Sequence, residues 1–277
     1  MLRSALVALD GSACGESAAD LAIDWAGRYG AHLLGLGILD APTIQRAEPV
    51  PLGAGAYKKA RDQARLADAH RRVADLLTAF RARGQAAGVA VEVLEDIGDP
   101  AVRILREAQR CDVVILGRET HFHFETQDEP DGTLAQVLRG SPRPVVVVPR
   151  SVPQGHGVLL AYGGGREAAR TLQTFQLLGL AAGEAIEVVT IHRDGAEAEA
   201  LVNLAGEYLT AQGAPHRLHP IVSATPPADV LLEQVRRARP RLLVMGAQGH
   251  HPLRDLFGAS VTRAVMRACP VPAFIGA

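Results

Sequence analysis

Two glycines and a serine in the last third of the chain have the types and the spacing that would hold a phosphate group. Gly246 ends a short apolar run, Gly249 follows three residues later, and Ser260 lies where a helical stretch opens. Glycines let the backbone approach a ligand closely and point N–H groups towards it. A helix start adds unpaired N–H groups and positive potential, and Ser260 adds a hydroxyl. The segment predicts a phosphate cradle, although such a turn is also common as a purely structural feature.

Other residues have conceivable chemical uses, but each has a simpler structural interpretation. His121 and His123, with Glu125 nearby, are sufficient in type for a metal site, or they belong to an ordinary surface loop. Cys14 lies near a helix start, where the dipole lowers a thiol pKa, yet no base partner is visible. The glycines 163–165 form either a second phosphate nest or a tight turn. We therefore predict no catalytic residue and no metal ligand.

The elements that position these residues alternate between short apolar runs and helical stretches. Near-continuous apolar runs are typical of strands buried on both faces of a parallel sheet. The predicted strands are Leu2–Leu9, His32–Leu39, Val89–Glu95, Asp112–Gly117 and Pro144–Val148, then Val158–Tyr162, Ile186–Ile191, His216–Val222, Leu242–Gly246 and Pro272–Ile275. The helices predicted in the first half are Ser12–Tyr29, Tyr57–Ala87, Pro100–Arg110 and Gly132–Arg139. This alternation predicts an α/β fold with helices on both faces of each sheet.

The second half of the chain repeats the first. The segment Val137–Val145 returns as Val265–Ala273, and similar apolar runs precede both copies. A repeat of this length indicates a duplicated domain. With Val152–Gly155 as the linker, the predicted domains are residues 1–150 and residues 156–277.

Composition excludes several classes of protein. Lys and Arg total 29 against 30 for Asp and Glu, so no basic field favours nucleic acid as a partner. The three cysteines form neither a disulfide pattern nor a zinc pattern. No apolar run approaches the roughly 20 residues of a membrane helix. We expect a cytoplasmic protein that does not bind membranes.

Three segments resemble the universal stress protein family in its tandem two-domain form. They are the Ala-Leu-Asp-Gly-Ser opening at Ala8–Ser12, the Gly-Asp-Pro at Gly98–Pro100, and the loop Gly246–Val261. The loop is similar to the family pattern Gly-x2-Gly-x9-Gly-Ser/Thr. The resemblance implies two tandem doubly wound domains, each a five-stranded parallel sheet of order 3-2-1-4-5 flanked by helices. It also implies that the two last strands pair about an internal pseudo-two-fold axis, while a further homodimer stays open.

The resemblance also implies a set of ligand contacts. In ATP-binding members the loop holds phosphates and ribose, and the ends of the first two strands hold adenine. By this resemblance the phosphate and ribose contacts are Gly246, Gly249, Gly258, Ala259, Ser260 and Val261, and the adenine contacts are Ala161, Gly163 and Ile191. The implied ligand is ATP, with or without Mg²⁺.

Neither copy matches the family pattern completely. The second half has Ala259 where the pattern has its third glycine, and Gly163 where the adenine-side Asp is expected. The first half keeps that Asp as Asp10 but has Thr120 for the second glycine, and acids before Gly132. One lost adenine hydrogen bond costs about 0.5–1.5 kcal/mol, whereas each charge-assisted phosphate contact contributes about 1.5–3 kcal/mol. We therefore expect the second half to be the ATP site.

Three functional hypotheses remain open at this stage. The favoured one is a stress-response or regulatory protein that binds ATP without fast turnover and signals to an unidentified protein partner. The alternative is a tandem interaction or scaffold module that binds no nucleotide, which Gly163 and Ala259 favour. The third is a slow ATPase, for which Asp255 is the nearest candidate carboxylate.

Overall fold

Short apolar strands alternate with amphipathic helices in both halves of the chain, as the sequence predicts. The computed structural model describes residues 1–46, 55–122, 131–181, 183–246 and 259–276. These residues form two compact units. The first unit contains Arg3–Gly140, and the second contains Met1–Leu2 together with Ser141–Ala277.

The first unit contains a four-stranded parallel sheet in the order β3-β2-β1-β4. Its strands are β1 (Ser4–Leu9), β2 (His32–Leu39), β3 (Val91–Ile97) and β4 (Val113–Gly117). Its described helices are α1 (Ala13–Tyr29), α2 (Ala41–Ile44), α3 (Gly55–Ala86), α4 (Pro100–Ala108) and α5 (Thr133–Gly140). Of these, α2 is the element that the sequence did not predict, and Asp40 caps it by accepting a hydrogen bond from Thr43 N.

The second unit contains the strand order β5-β10-β9-β6-β7-β8. Its strands are β5 (Val145–Val148), β6 (Val158–Ala161), β7 (Ile186–His192), β8 (His216–Val222), β9 (Leu242–Gly246) and β10 (Ala273–Gly276). Its described helices are α6 (Gly165–Leu178), α7 (Gly195–Ala211), α8 (Pro227–Ala238) and α9 (Ala259–Ala268). The second copy thus has its own five parallel strands in the predicted order 3-2-1-4-5.

The two last strands of the repeat pair with each other. β5 and β10 are antiparallel, and Val146 pairs with Phe274 at the centre of the register. Both residues lie nine positions after the repeated Val137 and Val265, so matching positions of the two copies meet. Through this pairing β5 belongs to the second compact unit. The boundary between the two units therefore lies between Gly140 and Ser141, before β5. The predicted boundaries of the repeat, 1–150 and 156–277, remain a prediction.

Side-chain caps start four of the described helices that follow strands, namely α1, α2, α4 and α7. The Ser12 hydroxyl accepts from Gly15 N at 2.9 Å to start α1, and Asp99 accepts from Val102 N at 3.0 Å to start α4. Asp194 accepts from Ala196 N at 2.8 Å at the start of α7. Such caps satisfy N–H groups that the helix itself leaves unpaired. Helices α6 and α8 begin without such a cap, because their N-cap residues are Gly164 and Pro226.

Helix α3 packs on β2 where that strand has glycines. Phe80 is 1% exposed, and a Cβ built on Gly35 would lie 2.6 Å from its ring. Val73 and Leu77 pack in the same way against Gly37. The glycines therefore let a 32-residue helix with mostly polar exposed residues bury one apolar stripe against the sheet.

We predict that Phe80→Ala lowers the free energy of unfolding of the first unit by about 3–5 kcal/mol, because it empties the space above Gly35. Trp25 is the single tryptophan and lies in the first unit, so urea denaturation followed by its fluorescence measures the free energy of unfolding of that unit. The control Arg81→Ala changes an exposed side chain on the same helix and should shift stability by less than about 0.5 kcal/mol. Equal effects of the two variants would contradict this packing.

Candidate functional site

The candidate site lies at the carboxyl ends of the first and fourth strands of each copy, which is the switch point of a doubly wound sheet. Both fourth strands end in glycine, and in both copies the first turn of a helix passes directly against it. A Cβ on Gly117 would lie 2.8 Å from Gly15 N, and one on Gly246 would lie 3.2 Å from Ala168 N. The duplication has thus kept the same backbone frame at both candidate sites.

In the first copy, the carboxylate of Asp10 is buried and accepts hydrogen bonds from other residues of the protein. Its Oδ1 accepts hydrogen bonds from Ser12 N at 3.0 Å and from the Ser12 hydroxyl at 2.8 Å. Its Oδ2 accepts from His121 N at 2.7 Å, in the loop that follows β4. Asp10 is 4% exposed. The residue expected to face adenine instead joins the end of β1 to the loop after β4.

Burial raises the pKa of the Asp10 carboxyl, and this effect exceeds the opposite effect of the hydrogen bonds from Ser12 and His121. The carboxylate is stabilised by three donors, yet little water reaches it. A buried carboxylate with these fixed partners is suited to holding backbone in place. It has little remaining capacity to recognise a ligand.

A second carboxylate, that of Asp131, binds the residues that follow β4. Asp131 accepts hydrogen bonds from the Thr120 hydroxyl at 2.6 Å, from Phe122 N at 2.9 Å and from Thr133 N at 2.9 Å. The side chain of Phe122 is fully buried, and Thr120 is 2% exposed. The sequence shows acids before Gly132 but does not reveal the contacts that Asp131 makes. The available signal was its place two residues before Thr133, because an Asp side chain commonly accepts from the backbone N–H two residues further on.

The second copy has glycine at the positions of Asp10 and Ser12. Gly163 stands at the position of Asp10, and Gly164 and Gly165 have φ angles of +74° and +80°. The positive φ favours glycine at position 164, and a Cβ there would also displace the end of the Leu201 side chain, 2.7 Å away. The segment between β6 and α6 therefore consists of Tyr162 followed by glycines, and it lies beside the end of β9.

The structure places some of the predicted ligand contacts and leaves others outside the described residues. Ala161 and Gly163 lie at the end of β6, and Gly246 ends the neighbouring strand β9. Ile191 and Val261 are buried, each at 1% exposure, so both belong to the packed core beneath this edge. Gly249 and Gly258 lie outside the described residues, as do the side chains of Ala259 and Ser260, whose backbone begins α9.

Among the described residues, the others singled out in the sequence form no second site. Cys14 is buried, its Sγ lies 3.9 Å from Glu119 Oε2, and burial raises the thiol pKa. A thiol with a raised pKa is a poor nucleophile, in agreement with a structural role. His123, Glu125 and Asp255 lie outside the described residues. Within the described ranges no cluster of His, Cys, Asp and Glu could hold a metal ion, and no helix could cross a membrane.

One surface cavity of the second unit lies away from the candidate site. It has a volume of about 380 Å³ and is lined by residues that include Val158, Ile186 and Arg217. These residues lie at the amino-terminal starts of β6, β7 and β8, whereas the candidate site lies at the carboxyl ends of the strands. The cavity therefore takes no part in the site described above.

The fold, with a fourth strand that ends in glycine in each copy, is that of a duplicated protein of the doubly wound α/β class. The chain belongs to the Universal stress protein family, whose model matches residues 1–149 and 156–275. The family resemblance seen in the sequence is thereby confirmed, together with the tandem form.

Relatives agree with this assignment. The universal stress protein Slr1230 of Synechocystis is 26% identical over 161 residues, which cover 58% of this chain and 56% of that protein. A universal stress protein from Archaeoglobus fulgidus has a similar structure, with a TM-score of 0.72, 19% identity, and coverage of 98% of this chain and 97% of that one. The functionally unknown protein PA1789 from Pseudomonas aeruginosa has a TM-score of 0.53, 15% identity, and coverage of 99% and 92%. At these identities the structural likenesses establish the fold.

We predict that the Asp10 carboxyl titrates above the ordinary aspartate pKa of about 3.9, because burial favours its protonated form. The folded state then binds this proton more tightly than the unfolded state does. The resulting stabilisation is complete below the unfolded pKa and is lost as the pH rises through the folded pKa. The wild type should therefore lose stability relative to Asp10→Asn over that interval.

A carbon-detected NMR titration of the Asp10 carboxyl measures its pKa directly, and urea denaturation of both proteins over the same pH range measures the linkage. A carboxyl pKa at or below about 3.9, with parallel stability curves, would contradict the dominance of burial.

Proposed function

We propose that this protein is a stress-response regulator that binds ATP in its second copy, at the carboxyl ends of β6 and β9, without rapid turnover. One observation carries the proposal, namely the contrast between the two copies. Asp10 and Asp131 occupy the hydrogen-bond donors of the first copy, whereas the glycines 163–165 of the second copy bring no side chain to the corresponding strand end.

The described part of the second copy is chemically suited to a phosphate group. The first turn of a helix has N–H groups without partners inside the helix, and they attract anions together with the helix dipole. At α6 the N-cap Gly164 supplies no competing side-chain oxygen, and Gly246 lets the neighbouring strand end approach closely. Gly249, Ser260 and the start of α9 would complete the cradle, as the family pattern implies.

The adenine side is expected to bind more weakly than the phosphate side. Gly163 cannot supply the carboxylate that the family pattern places there, and the loss of one such hydrogen bond costs about 0.5–1.5 kcal/mol, or up to about tenfold in affinity. Phosphate contacts would therefore supply most of the binding free energy, with Mg²⁺ accompanying the nucleotide.

Regulation would follow from ordering of the loop between β9 and α9. A ligand shifts a conformational equilibrium only through its differential affinity for the two states. A nucleotide that contacts both Gly246 and the start of α9 would favour one arrangement of the loop, which a protein partner then recognises. This role requires occupancy and release of ATP, and it does not require hydrolysis.

We predict that isothermal titration with ATP and Mg²⁺ gives about one site per chain, and that Gly249→Asp abolishes it. The added carboxylate would repel the phosphates and fill the close approach that glycine allows. Gly132→Asp is the matched control, because it adds the same charge to an exposed glycine of the loop in the first copy.

Retained binding in the Gly132→Asp protein, with loss in the Gly249→Asp protein, would support a site in the second copy. The reverse pattern would place the nucleotide in the first copy and contradict the proposal. Absence of heat and of thermal stabilisation at millimolar ATP would favour the alternative function, a tandem scaffold that binds no nucleotide.

A further inference from the structure

The cavity at the amino-terminal starts of β6, β7 and β8 lies at a corner where the two copies of the repeat differ in charge. At the corresponding corner of the first copy, Arg110 Nη2 lies 3.3 Å from Glu92 Oε1, and Arg110 Nε lies 2.7 Å from Glu107 Oε2. Two carboxylates of the protein thus neutralise one guanidinium group. The first copy therefore satisfies this corner with its own ion pairs.

The second copy has arginines where the first copy has an arginine and a glutamate before the fourth strand. Arg239 lies three residues before the start of β9, as Arg110 does before the start of β4. Six residues before those starts, Arg236 takes the place of Glu107. One carboxylate of the corner is therefore replaced by a guanidinium group.

The other carboxylate is replaced in the same way. Arg217 takes the place of Glu92, since each is the second residue of a seven-residue third strand. Each also pairs with the neighbouring second strand of its own copy. The second copy thus has three arginines, Arg217, Arg236 and Arg239, which we call the arginine corner.

Two members of the arginine corner have no acceptor for their side chains among the described residues. Arg236 has an exposed ion pair with Glu233, in which Nη1 lies 3.5 Å from Oε2. Arg217 and Arg239 are exposed, and neither side chain has an ion pair or a hydrogen bond within the part of the chain that the structure describes. The corner therefore carries positive charge that the second copy does not neutralise with its own carboxylates.

The cavity provides the space in which an acceptor could lie. Its volume of about 380 Å³ is within the range of small-molecule sites. Arg217 lines it, as do Ala238 and Pro240, the residues on either side of Arg239. Val158 adds an apolar part to the lining. The cavity therefore combines unpaired positive charge with apolar surface.

Two carboxylates also line the cavity, but both have partners other than Arg217. Glu184 accepts hydrogen bonds from Gly157 N at 2.6 Å and from Arg241 Nε at 2.8 Å, so its charge is already paired. Glu187 Oε1 lies 3.4 Å from His219 Nε2. The lining acids therefore leave the guanidinium group of Arg217 available to a ligand.

We propose that this cavity binds a small organic anion, whose carboxylate or phosphate group is held by Arg217 and Arg239. The ligand supplies the negative charge that Glu92 and Glu107 supply in the first copy. Guanidinium groups bind both kinds of anion through charge-assisted hydrogen bonds, commonly with two donors at once. The site is separate from the proposed nucleotide site, because it lies at the opposite edge of the sheet.

Titration of the full chain with sodium benzoate and with phenyl phosphate, followed by amide NMR, tests this proposal. We expect at least one of the two anions to cause saturable shifts at residues 156–158, 184–187 and 217, which line the cavity. Sodium chloride at equal ionic strength should not reproduce them. Comparison of the two affinities shows whether a carboxylate or a phosphate group is preferred.

Arg217→Glu gives the second copy the residue type that the first copy has at this place. We expect it to weaken binding by more than about tenfold, because it removes a guanidinium group and adds a carboxylate that competes for Arg239. Arg170→Glu is the matched control, since it makes the same charge change on an exposed residue of α6 in the same unit. This control should retain the affinity of the wild type.

Arg239→Asn is the second variant and serves if Arg217→Glu does not fold. Arg239 has a φ angle of +47°, which asparagine tolerates better than most residues. This variant should also weaken binding, because it removes the other unpaired guanidinium group while it keeps the backbone conformation.

Three results would overturn the proposal. One is the absence of saturable shifts at the cavity with both anions. Another is equal affinity in the wild type and in the Arg217 and Arg239 variants, which would mean that the apolar lining alone binds the aromatic ring. The last is an equal response to sodium chloride, which would show a general effect of ionic strength. None of these results depends on ATP, so they are distinguishable from failure of the proposed nucleotide site.

Discussion

The organisation of this protein depends on backbone N–H groups that need acceptors where strands pass into helices at the carboxyl edge of a parallel sheet. Each such helix start leaves N–H groups without intrahelical partners, and unpaired buried donors cost about 1–3 kcal/mol each. In the first copy the acceptors are side chains, with Ser12 and Asp99 at helix starts and with Asp10 and Asp131 at the backbone that follows β1 and β4. In the second copy Gly164 begins α6 without a side chain.

Duplication allowed the two copies to meet the same requirement differently. The frame is shared, since Gly117 and Gly246 end matching strands against the first turn of a helix, and the last strands pair symmetrically through Val146 and Phe274. The acceptors differ after the first strand of each copy, because Asp10 and Ser12 supply side-chain oxygens in the first copy whereas α6 of the second copy begins at Gly164 without a side-chain acceptor. This difference favours a division of roles, with one copy closed by its own residues and the other available to a phosphate-bearing ligand.

Much of the fold could be predicted from the sequence, because strands buried on both faces are apolar along their whole length. The strands His32–Leu39, His216–Val222 and Leu242–Gly246 have the predicted bounds. β3 was placed two residues early, since it is an edge strand with intermediate exposure along most of its length and lacks a sharp apolar limit. The short helix α2 was not predicted, because one turn of helix carries no periodicity.

The site was less predictable than the fold, for a physical reason. Asp10 was recognised by type and position, and Asp131 only as one of the acids before Gly132. Their acceptor roles depend on His121 and Phe122, which only folding brings near. The sequence therefore indicated which copy had lost the glycine pattern, and the structure shows what replaced it. Hydrogen bonds across a loop leave no spacing signal comparable to helix or strand periodicity.

Hydrogen exchange of the unmodified chain with and without ATP and Mg²⁺ tests the central claim most directly, because it examines both copies in one experiment. The account predicts slower exchange with ATP at the start of α6, residues 163–166, and at the start of α9, residues 259–262, with no change at residues 117–122 and 131–134. Protection by ATP in the first copy would contradict it, as would an absence of protection at both helix starts of the second copy.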